Sequence, residues 1–378
     1  MNIVHVHHTF YPVLGGLERV VQRLAEEQAR LGHEVHVITS TYGAYDKPRE
    51  ELLNSIYIHR IKAWKLGYLD TMLPKEKEIP KEVLKQADVV HIHSQNSLFN
   101  VRIAERAKYY GTKVVVCFMA VDALLTHPNP LKRVLSFQYQ KALTRKALTI
   151  ADLKLVKSLR DQQVLKRRYS VNPVYIPDGI DEEYLKKPKD PNKFRRRFHI
   201  REDERVYLYI GRLHSAKGPQ VLIKAASFLY RNAKKFRVVL VGPGPKGWLM
   251  KLAKKLGIEQ HVVITGPVTE DLKISAIDAS TCVVVPSLYD YVEVFSLVTS
   301  EAWARGKPVI ASAVGELPYR IKYGENGLLV PPNDPKALTK ALIEVERCNL
   351  KPSGVKLRTW REVTRKLCSL YERELESI

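Results

Sequence analysis

The sequence predicts an α/β protein of two doubly wound domains, each a parallel sheet with helices on both faces. Three observations carry this. Short apolar runs rich in Val and Ile alternate from end to end with longer stretches of helical period. The runs fall into two series, parted by the turn-rich break Ile176-Pro177-Asp178-Gly179-Ile180-Asp181. A length of 378 residues leaves room for two domains of ordinary size.

The first series places strands at residues 2–7, 34–39, 89–93, 113–118 and 153–156, with a helix over 17–31. These runs are short and almost wholly apolar, as strands buried on both faces must be. After the break, the charged, Pro-containing stretch 186–196 leads into the second series. Its strands are expected at 205–210, 237–241, 261–265, 282–285 and 308–311, with a helix over 218–230. The expected domains are residues 1–178 and 179–357. Sheets of this kind bind ligands beyond the carboxyl ends of their strands, so two facing domains imply a site in the cleft between them.

Composition narrows the function. With 45% hydrophobic and 27% charged residues the chain is globular, without low-complexity tracts or repeats. Cys117, Cys282, Cys348 and Cys368 have no metal or redox spacing, and Cys117 and Cys282 sit in apolar runs as inert thiols. No uncharged stretch approaches the length of a membrane span, and the start is a strand rather than a leader. The expected location is cytoplasmic.

Lys and Arg number 62 against 40 Asp and Glu, a net charge of +22 that attracts polyanions. The excess is densest over residues 131–169, with eleven cations against Asp152 and Asp161. No nucleic-acid motif accompanies the charge, so no nucleic acid is expected. Leu131, Val134, Leu135 and Phe137 lie among these cations. That mixture suits a helix resting on an anionic membrane, and equally a solvated basic face on a soluble enzyme.

Four segments carry chemistry. Glu293-Val294-Phe295-Ser296-Leu297-Val298-Thr299-Ser300-Glu301 places two carboxylates eight positions apart. On one continuous helix they would stand roughly 12 Å apart on nearly one face. That is too far to flank one bond and suits two separate hydroxyl-bearing groups, such as the two sugars of a nucleotide sugar. Gly15 and Gly16 follow the first strand and open a helix, where backbone can approach an anion; a plain chain-reversing turn reads the same way. Arg212 and Lys217, in Gly211-Arg212-Leu213-His214-Ser215-Ala216-Lys217-Gly218, suit a diphosphate, although solvated surface cations would share the pattern. Gly242-Pro243-Gly244-Pro245-Lys246-Gly247 matches the dinucleotide fingerprint but lies outside the first βαβ unit. It is expected to be a strand-end turn.

In order and spacing these segments resemble the retaining glycosyltransferases of family 4, which have the GT-B fold of two Rossmann-like domains facing a cleft. The likeness adds Glu18, Asp88-Val89-Val90-His91, Pro286-Ser287 and residues 324–332. The last helix, in 358–378 around Trp360 and Tyr371, resembles the one that returns to complete the first domain.

The resemblance implies a hexosyl or N-acetylhexosaminyl transfer from a nucleotide-diphosphate sugar to a saccharide or lipid-linked acceptor, without metal or further cofactor. Arg212 and Lys217 would hold the diphosphate, with Gly15 and Gly16 approaching it from the other domain. Glu301 would bind the ribose, and Glu293 the transferred sugar, helped by amides at Phe295, Ser296 and Leu297. Arg212, Lys217 and Glu293 are thus the expected catalytic residues.

Four positions depart from the family pattern. Met119-Ala120-Val121-Asp122 stands where His-Gly-x-Asp is usual, so the imidazole that meets the donor sugar is absent; His7, His8 and His93 are candidate replacements. Ser296 and Glu316 replace glycines, and Asp178 replaces an asparagine. These changes leave two alternatives open: a nucleotide-sugar epimerase of the same fold, and a nucleotide-sugar-binding relative with weakened turnover.

Overall fold

Consecutive Val, Ile and Leu residues leave a strand no solvent face, so each sheet needs a helical layer on both sides. The chain meets that demand twice. The computed structural model describes residues 1–376 apart from residues 14, 67–70, 127–128, 188–189, 191, 231–234, 349 and 353. Leu14 of the glycine turn, part of the 186–196 stretch, Ser377 and Ile378, and the side chain of Lys132 thus lie outside the described residues. Two compact units emerge: Met1–Gly179 with Arg358–Ile378, and Ile180–Leu357.

The first unit contains β1 (Asn2–Val6), β2 (Glu34–Ser40), β3 (Glu50–Leu53), β4 (Ile56–Ile61), β5 (Ala63–Leu66), β6 (Thr71–Pro74), β7 (Val89–His93), β8 (Lys113–Phe118), β9 (Leu153–Val156) and β10 (Val174–Tyr175). Eight form one sheet in the order β10-β9-β8-β7-β1-β2-β4-β3, parallel except for the β3–β4 edge. β5 and β6 make a separate antiparallel hairpin. The sequence reading missed β3 to β6, where charged and aromatic side chains break the apolar runs.

Val4, Val6, Val90, Ile92, Val114 and Val116 point to one face and pack with residues from the helices Leu98–Tyr109 and Pro130–Ile150. The opposite face carries His5, His91 and His93. It lies under the helices Gly16–Arg30 and Trp360–Glu376, which reach it through Gln28 and Tyr371.

The second unit contains β11 (Arg205–Ile210), β12 (Phe236–Val241), β13 (Val262–Gly266), β14 (Cys282–Val285), β15 (Val309–Ser312) and β16 (Gly327–Val330). They form one wholly parallel sheet in the order β13-β12-β11-β14-β15-β16. The helices Pro219–Leu229 and Pro335–Arg347 bury Val221, Leu222, Leu338 and Leu342 on one face. Glu270–Ala279 and Leu297–Ala304 bury Ala276, Ile277 and Ala302 on the other. Proline opens the first two helices, where its missing N–H costs nothing, and Asp334 caps the second by accepting from Ala337 N at 2.9 Å.

Strand order reverses between β1 and β7 in the first unit and between β11 and β14 in the second. Such switch points open a crevice at the carboxyl ends of the strands. No described helix is long and apolar enough to cross a membrane.

The buried histidines make the first unit sensitive to acid. Burial pushes His5 and His7 down to about 4, and holds His91 and His93 well below the ordinary histidine range. They are neutral when folded, whereas the unfolded chain takes up protons below its ordinary value of 6.5. The unfolded state therefore gains protons first, and stability falls as pH drops from about 6.5 towards about 4, by about 1.4 kcal/mol per pH unit for each such group. Urea unfolding should show a lower midpoint for this unit at about pH 5 than at about pH 7. An unchanged midpoint would refute the assignment of neutral buried imidazoles.

Candidate functional site

In the second unit the loops after β11 and β14 are pressed together. Gly218 has φ +74°, and a Cβ on it would lie 1.8 Å from the carbonyl oxygen of Pro286, so only glycine fits. Leu288 N donates to Ala216 O at 2.9 Å across the same crossing. The β11 loop is also tied to its other neighbour, with Leu213 N donating to Pro243 O at 2.7 Å. The Gly242–Gly247 segment is thus a strand-end turn that props the β11 loop. Its last glycine opens the helix Gly247–Lys255.

This crossing sets the candidate residues. Lys217 Nζ donates to Glu293 Oε1 at 2.7 Å and to Val292 O at 3.1 Å. Ser287 Oγ donates to the same Glu293 oxygen at 2.6 Å. Glu293 is only 3% exposed, yet its Oε2 has no hydrogen-bond partner among the described residues and keeps some contact with solvent. Arg212 is exposed, and among the described residues its guanidinium makes no hydrogen bond or ion pair. Its carbonyl accepts from the Tyr209 hydroxyl at 2.6 Å. Burial, then the Glu293 carboxylate, push the Tyr209 hydroxyl well above its usual range, so it stays protonated as that donor.

One expectation is corrected. Glu293 and Glu301 do not share a helix. Glu293 closes the 3-10 turn Asp290–Val292, the chain reverses at Ser296 with φ 64° and ψ 80°, and the helix begins at Leu297. A left-handed residue cannot propagate a right-handed helix, so the rise-per-residue distance does not apply. The same φ explains why glycine is usual at this position in the family, and why serine is strained there.

The reversal is clamped by Arg320, which the sequence reading missed. Its guanidinium donates to Phe295 O, to Ser296 O at 2.9 Å, to Thr299 Oγ1 at 2.6 Å and to Ser300 Oγ at 2.6 Å. It also lies 3.9 Å from the centre of the Phe295 ring. Gly315 and Glu316 support Glu293 from the same side. Glu316 N donates to Glu293 O at 2.9 Å, and a Cβ on Gly315 would lie 2.1 Å from that oxygen. Glu301 is 5% exposed and accepts from Lys273 Nζ at 2.7 Å, a partner 28 positions away with no sequence signal.

In the first unit, Gly15 and Gly16 start the helix Gly16–Arg30 without a side-chain cap. The carboxylate of Glu18 folds over Gly15, held by Thr9 Oγ1 at 2.7 Å, while among the described residues nothing outside its own helix backbone and chain neighbours lies within 4 Å of a Cβ built on Gly16. Ala120 and Asp122 both take positive φ, 49° and 54°, at the end of β8. The Met119 carbonyl accepts from Asn96 Nδ2 at 2.8 Å and Gln95 Nε2 at 3.2 Å, and its N–H donates to Gln95 Oε1 at 2.9 Å. His93 is fully buried and bonded to His5, and His7 is 2% exposed and donates to His93 O at 3.1 Å. Neither ring is presented to solvent as a replacement for the missing imidazole. His8 is partly exposed and packs edge-on against His7. Asp178 is buried against Lys157.

Residues 14–184 match the family described as Glycosyltransferase Family 4, and residues 190–364 match Glycosyl transferases group 1. The chain belongs to the group 1, family 4 glycosyltransferases. It is 29% identical over 364 residues to a D-inositol 3-phosphate glycosyltransferase of Acidothermus cellulolyticus, covering 87% of this chain and 77% of that one. The fold matches sucrose-phosphate synthase from Thermosynechococcus elongatus with a TM-score of 0.80 and 22% identity, over 100% and 99% of the two chains. It also matches Anabaena HepE in complex with UDP-glucose, with a TM-score of 0.71 and 17% identity over 99% and 98%. These matched structures give the glycosyltransferase its GT-B fold.

Arg320→Ala should lower the stability of the second unit by about 2 kcal/mol, because it strips charge-assisted bonds from buried carbonyls and hydroxyls. Arg320→Lys should recover little, since a point charge cannot replace the planar fork. Chemical denaturation of the three proteins checks this, and equal midpoints would remove Arg320 from the clamp.

Proposed function

We propose that this glycosyltransferase moves a hexosyl or N-acetylhexosaminyl group from a nucleotide-diphosphate sugar to a saccharide or lipid-linked acceptor, with retention at the anomeric carbon and without a metal. The observation that carries the reading is the Arg212–Lys217 loop at the β11–β14 switch point. It offers one unengaged guanidinium and one ammonium where an anionic ligand of such a sheet would lie. Two cations there, Lys217 held by Glu293 and Arg212 free to meet a ligand, would stabilise charge on a departing diphosphate, which is the ground for expecting no metal.

Glu293 Oε2 is open to a hydroxyl of the transferred sugar, while Lys217 and Ser287 hold Oε1 and fix the carboxylate. Amides at Phe295, Ser296 and Leu297 lie on the clamped reversal, suited to the same sugar or its phosphate. Glu301 would take the ribose, and the uncapped helix start at Gly15 and Gly16 suits an anion. The resemblance supports UDP as one donor nucleotide, since HepE was solved with UDP-glucose. The relative named for D-inositol 3-phosphate supports a polyhydroxylated acceptor. Met119, in place of the usual histidine, favours a donor sugar read differently from the family's common ones.

Incubation with UDP-, GDP- and ADP-sugars, with and without acceptors, should give donor-dependent nucleotide release. Arg212→Ala and Lys217→Ala should each lower transfer at least about tenfold with every donor, since all share the diphosphate. Lys217→Ala should also lower stability, because it strands the buried Glu293 carboxylate, whereas Arg212→Ala should not. Unchanged turnover in both variants would overturn the site. An isomerised sugar would establish an epimerase, and binding without turnover a relic.

We also propose that the start of the helix Pro130–Ile150 rests on an anionic membrane, as a peripheral attachment near a lipid-linked acceptor. Leu131, Val134 and Leu135 form an exposed i, i+3, i+4 stripe, with Arg133 and Arg145 exposed on the same helix and Lys146 paired with Glu105. The cationic surface is smaller than the sequence count implies. Lys157 is buried against Asp178, Arg160 bonds Asp161, and Arg168 bonds Asp122. Sedimentation with anionic vesicles at low salt should pellet the protein, and salt should release it, because the contact is screened. A Leu131→Ser, Leu135→Ser variant should pellet less. Protein that stays in the supernatant at low salt would make a soluble acceptor the better reading.

A further inference from the structure

At the β1–β7 switch point of the first unit, beneath the strand ends, three imidazoles meet inside the protein. His5 and His91 are register partners on neighbouring parallel strands, and His93 lies two positions further along β7 on the same face. All three are at most 1% exposed, and one ring nitrogen from each lies within 4.8 Å of the other two. The rings of His91 and His93 stack at 4.2 Å, and His5 lies 5.1 Å from His93 and 5.6 Å from His91.

The hydrogen bonds leave nitrogen lone pairs over. Gln28 Oε1, an acceptor, lies 2.5 Å from His5 Nε2, which fixes the His5 proton on Nε2 and leaves Nδ1 as a lone pair. His93 Nε2 donates to His5 Nδ1 at 2.8 Å. His91 Nδ1 lies 2.6 Å from the Tyr371 hydroxyl, and when that oxygen accepts the Nδ1 proton the Nε2 lone pair is left over. Among the described residues, His91 Nε2 and His93 Nδ1 have no hydrogen-bond partner at all. A fully buried nitrogen without a partner is costly, and an ion held by His5 Nδ1, His91 Nε2 and His93 Nε2 would satisfy one of these two, His91 Nε2. Burial also keeps the imidazoles neutral, the form that binds metals.

We propose that His5, His91 and His93 form a binding site for one late first-row divalent metal ion of the Zn²⁺, Co²⁺, Ni²⁺ or Cu²⁺ class. Three nitrogen ligands favour these ions over Mg²⁺ or Ca²⁺, which take oxygen. The second shell has the usual form, with Gln28 and Tyr371 each engaging the far nitrogen of a ligand and fixing its ring. Coordination replaces the His5–His93 hydrogen bond, and the His93 proton moves from Nε2 to Nδ1, where no described residue accepts it, so the ion's three bonds must outweigh that cost. Nitrogens about 2.0–2.1 Å from a tetrahedral ion stand roughly 3.3 Å apart, so the His5 and His93 rings separate by about half an ångström, while the His91 nitrogen, within 4.8 Å of both, closes on the ion. Lys157, whose charge acts on these imidazoles, is paired with Asp178, which limits its repulsion of the ion. The ion would pin β1 to β7 and, through Gln28 and Tyr371, both helices covering that face. It would be structural and separate from the sugar-transfer chemistry.

The test strips the full-length protein with chelator in denaturant and refolds it with or without Zn²⁺ or Co²⁺. Elemental analysis after gel filtration should find about one ion per chain, and thermal unfolding should occur at higher temperature with metal than without. His91→Gln should weaken retention by more than about tenfold, and Tyr371→Phe by at least about tenfold through loss of ring orientation. His36→Gln, at the separate His36–His59 pair on β2 and β4, should retain the ion. Should His91→Gln not fold, the wild-type metal content and Tyr371→Phe still decide. A wild-type chain that refolds equally well with no retained ion overturns the proposal, as does loss of the ion in His36→Gln alone.

Discussion

The contact between Gly218 and the Pro286 carbonyl is the constraint on which the candidate site depends. Parallel strands β11 and β14 deliver their following loops to the same place, and only a residue without a Cβ lets the two backbones touch. Once they touch, Lys217 is carried over the β14 loop to reach Glu293, and Ser287 reaches the same oxygen from below. A buried carboxylate would be costly alone; the ammonium and hydroxyl make it tolerable and hold its second oxygen outward. A glycine that looks like a turn residue in the sequence is the reason an ion pair exists.

The second constraint is the chain reversal at Ser296. The segment must leave Glu293 in an irregular turn and still begin a helix two residues after Phe295. A left-handed residue achieves this at some cost in strain, and Arg320 offsets the strain by gathering the freed carbonyls. The two glutamates therefore belong to different structural elements, one stiffened by the β11 loop and the other by Lys273. Separate anchoring suits separate tasks: each carboxylate is placed without moving the other.

The first unit solves a different problem at its own switch point. Its strand ends carry histidines, where β11 of the second unit ends in Tyr209 and Ile210 and β14 in valines, and the enclosing helices supply Gln28 and Tyr371 to meet them. The Trp360–Glu376 helix is thus tied to the sheet core by a specific polar contact as well as by apolar packing. Met119 sits nearby in sequence but is fixed by its backbone, gripped by Gln95 and Asn96. Its side chain is free of that duty, which fits a position where residue type can change while the loop keeps its path.

The sequence by itself determined the fold class, since alternating apolar runs and helical periods allow little besides helix-covered parallel sheets. It also determined which loops carry charge and glycine after the first strand of each series. It did not show β3 to β6, where edge strands mix Glu50, Glu51, Tyr57 and Arg60 with apolar residues and lose the buried-strand signature. Only the tertiary structure decided the partners. Lys217 meets Glu293 across 76 positions, and His5 meets His93 across 88. Local periodicity fixes what a segment becomes, because it depends on near neighbours. Which side chains share a buried space depends on strand order and on where backbones can touch, and no window of sequence contains that.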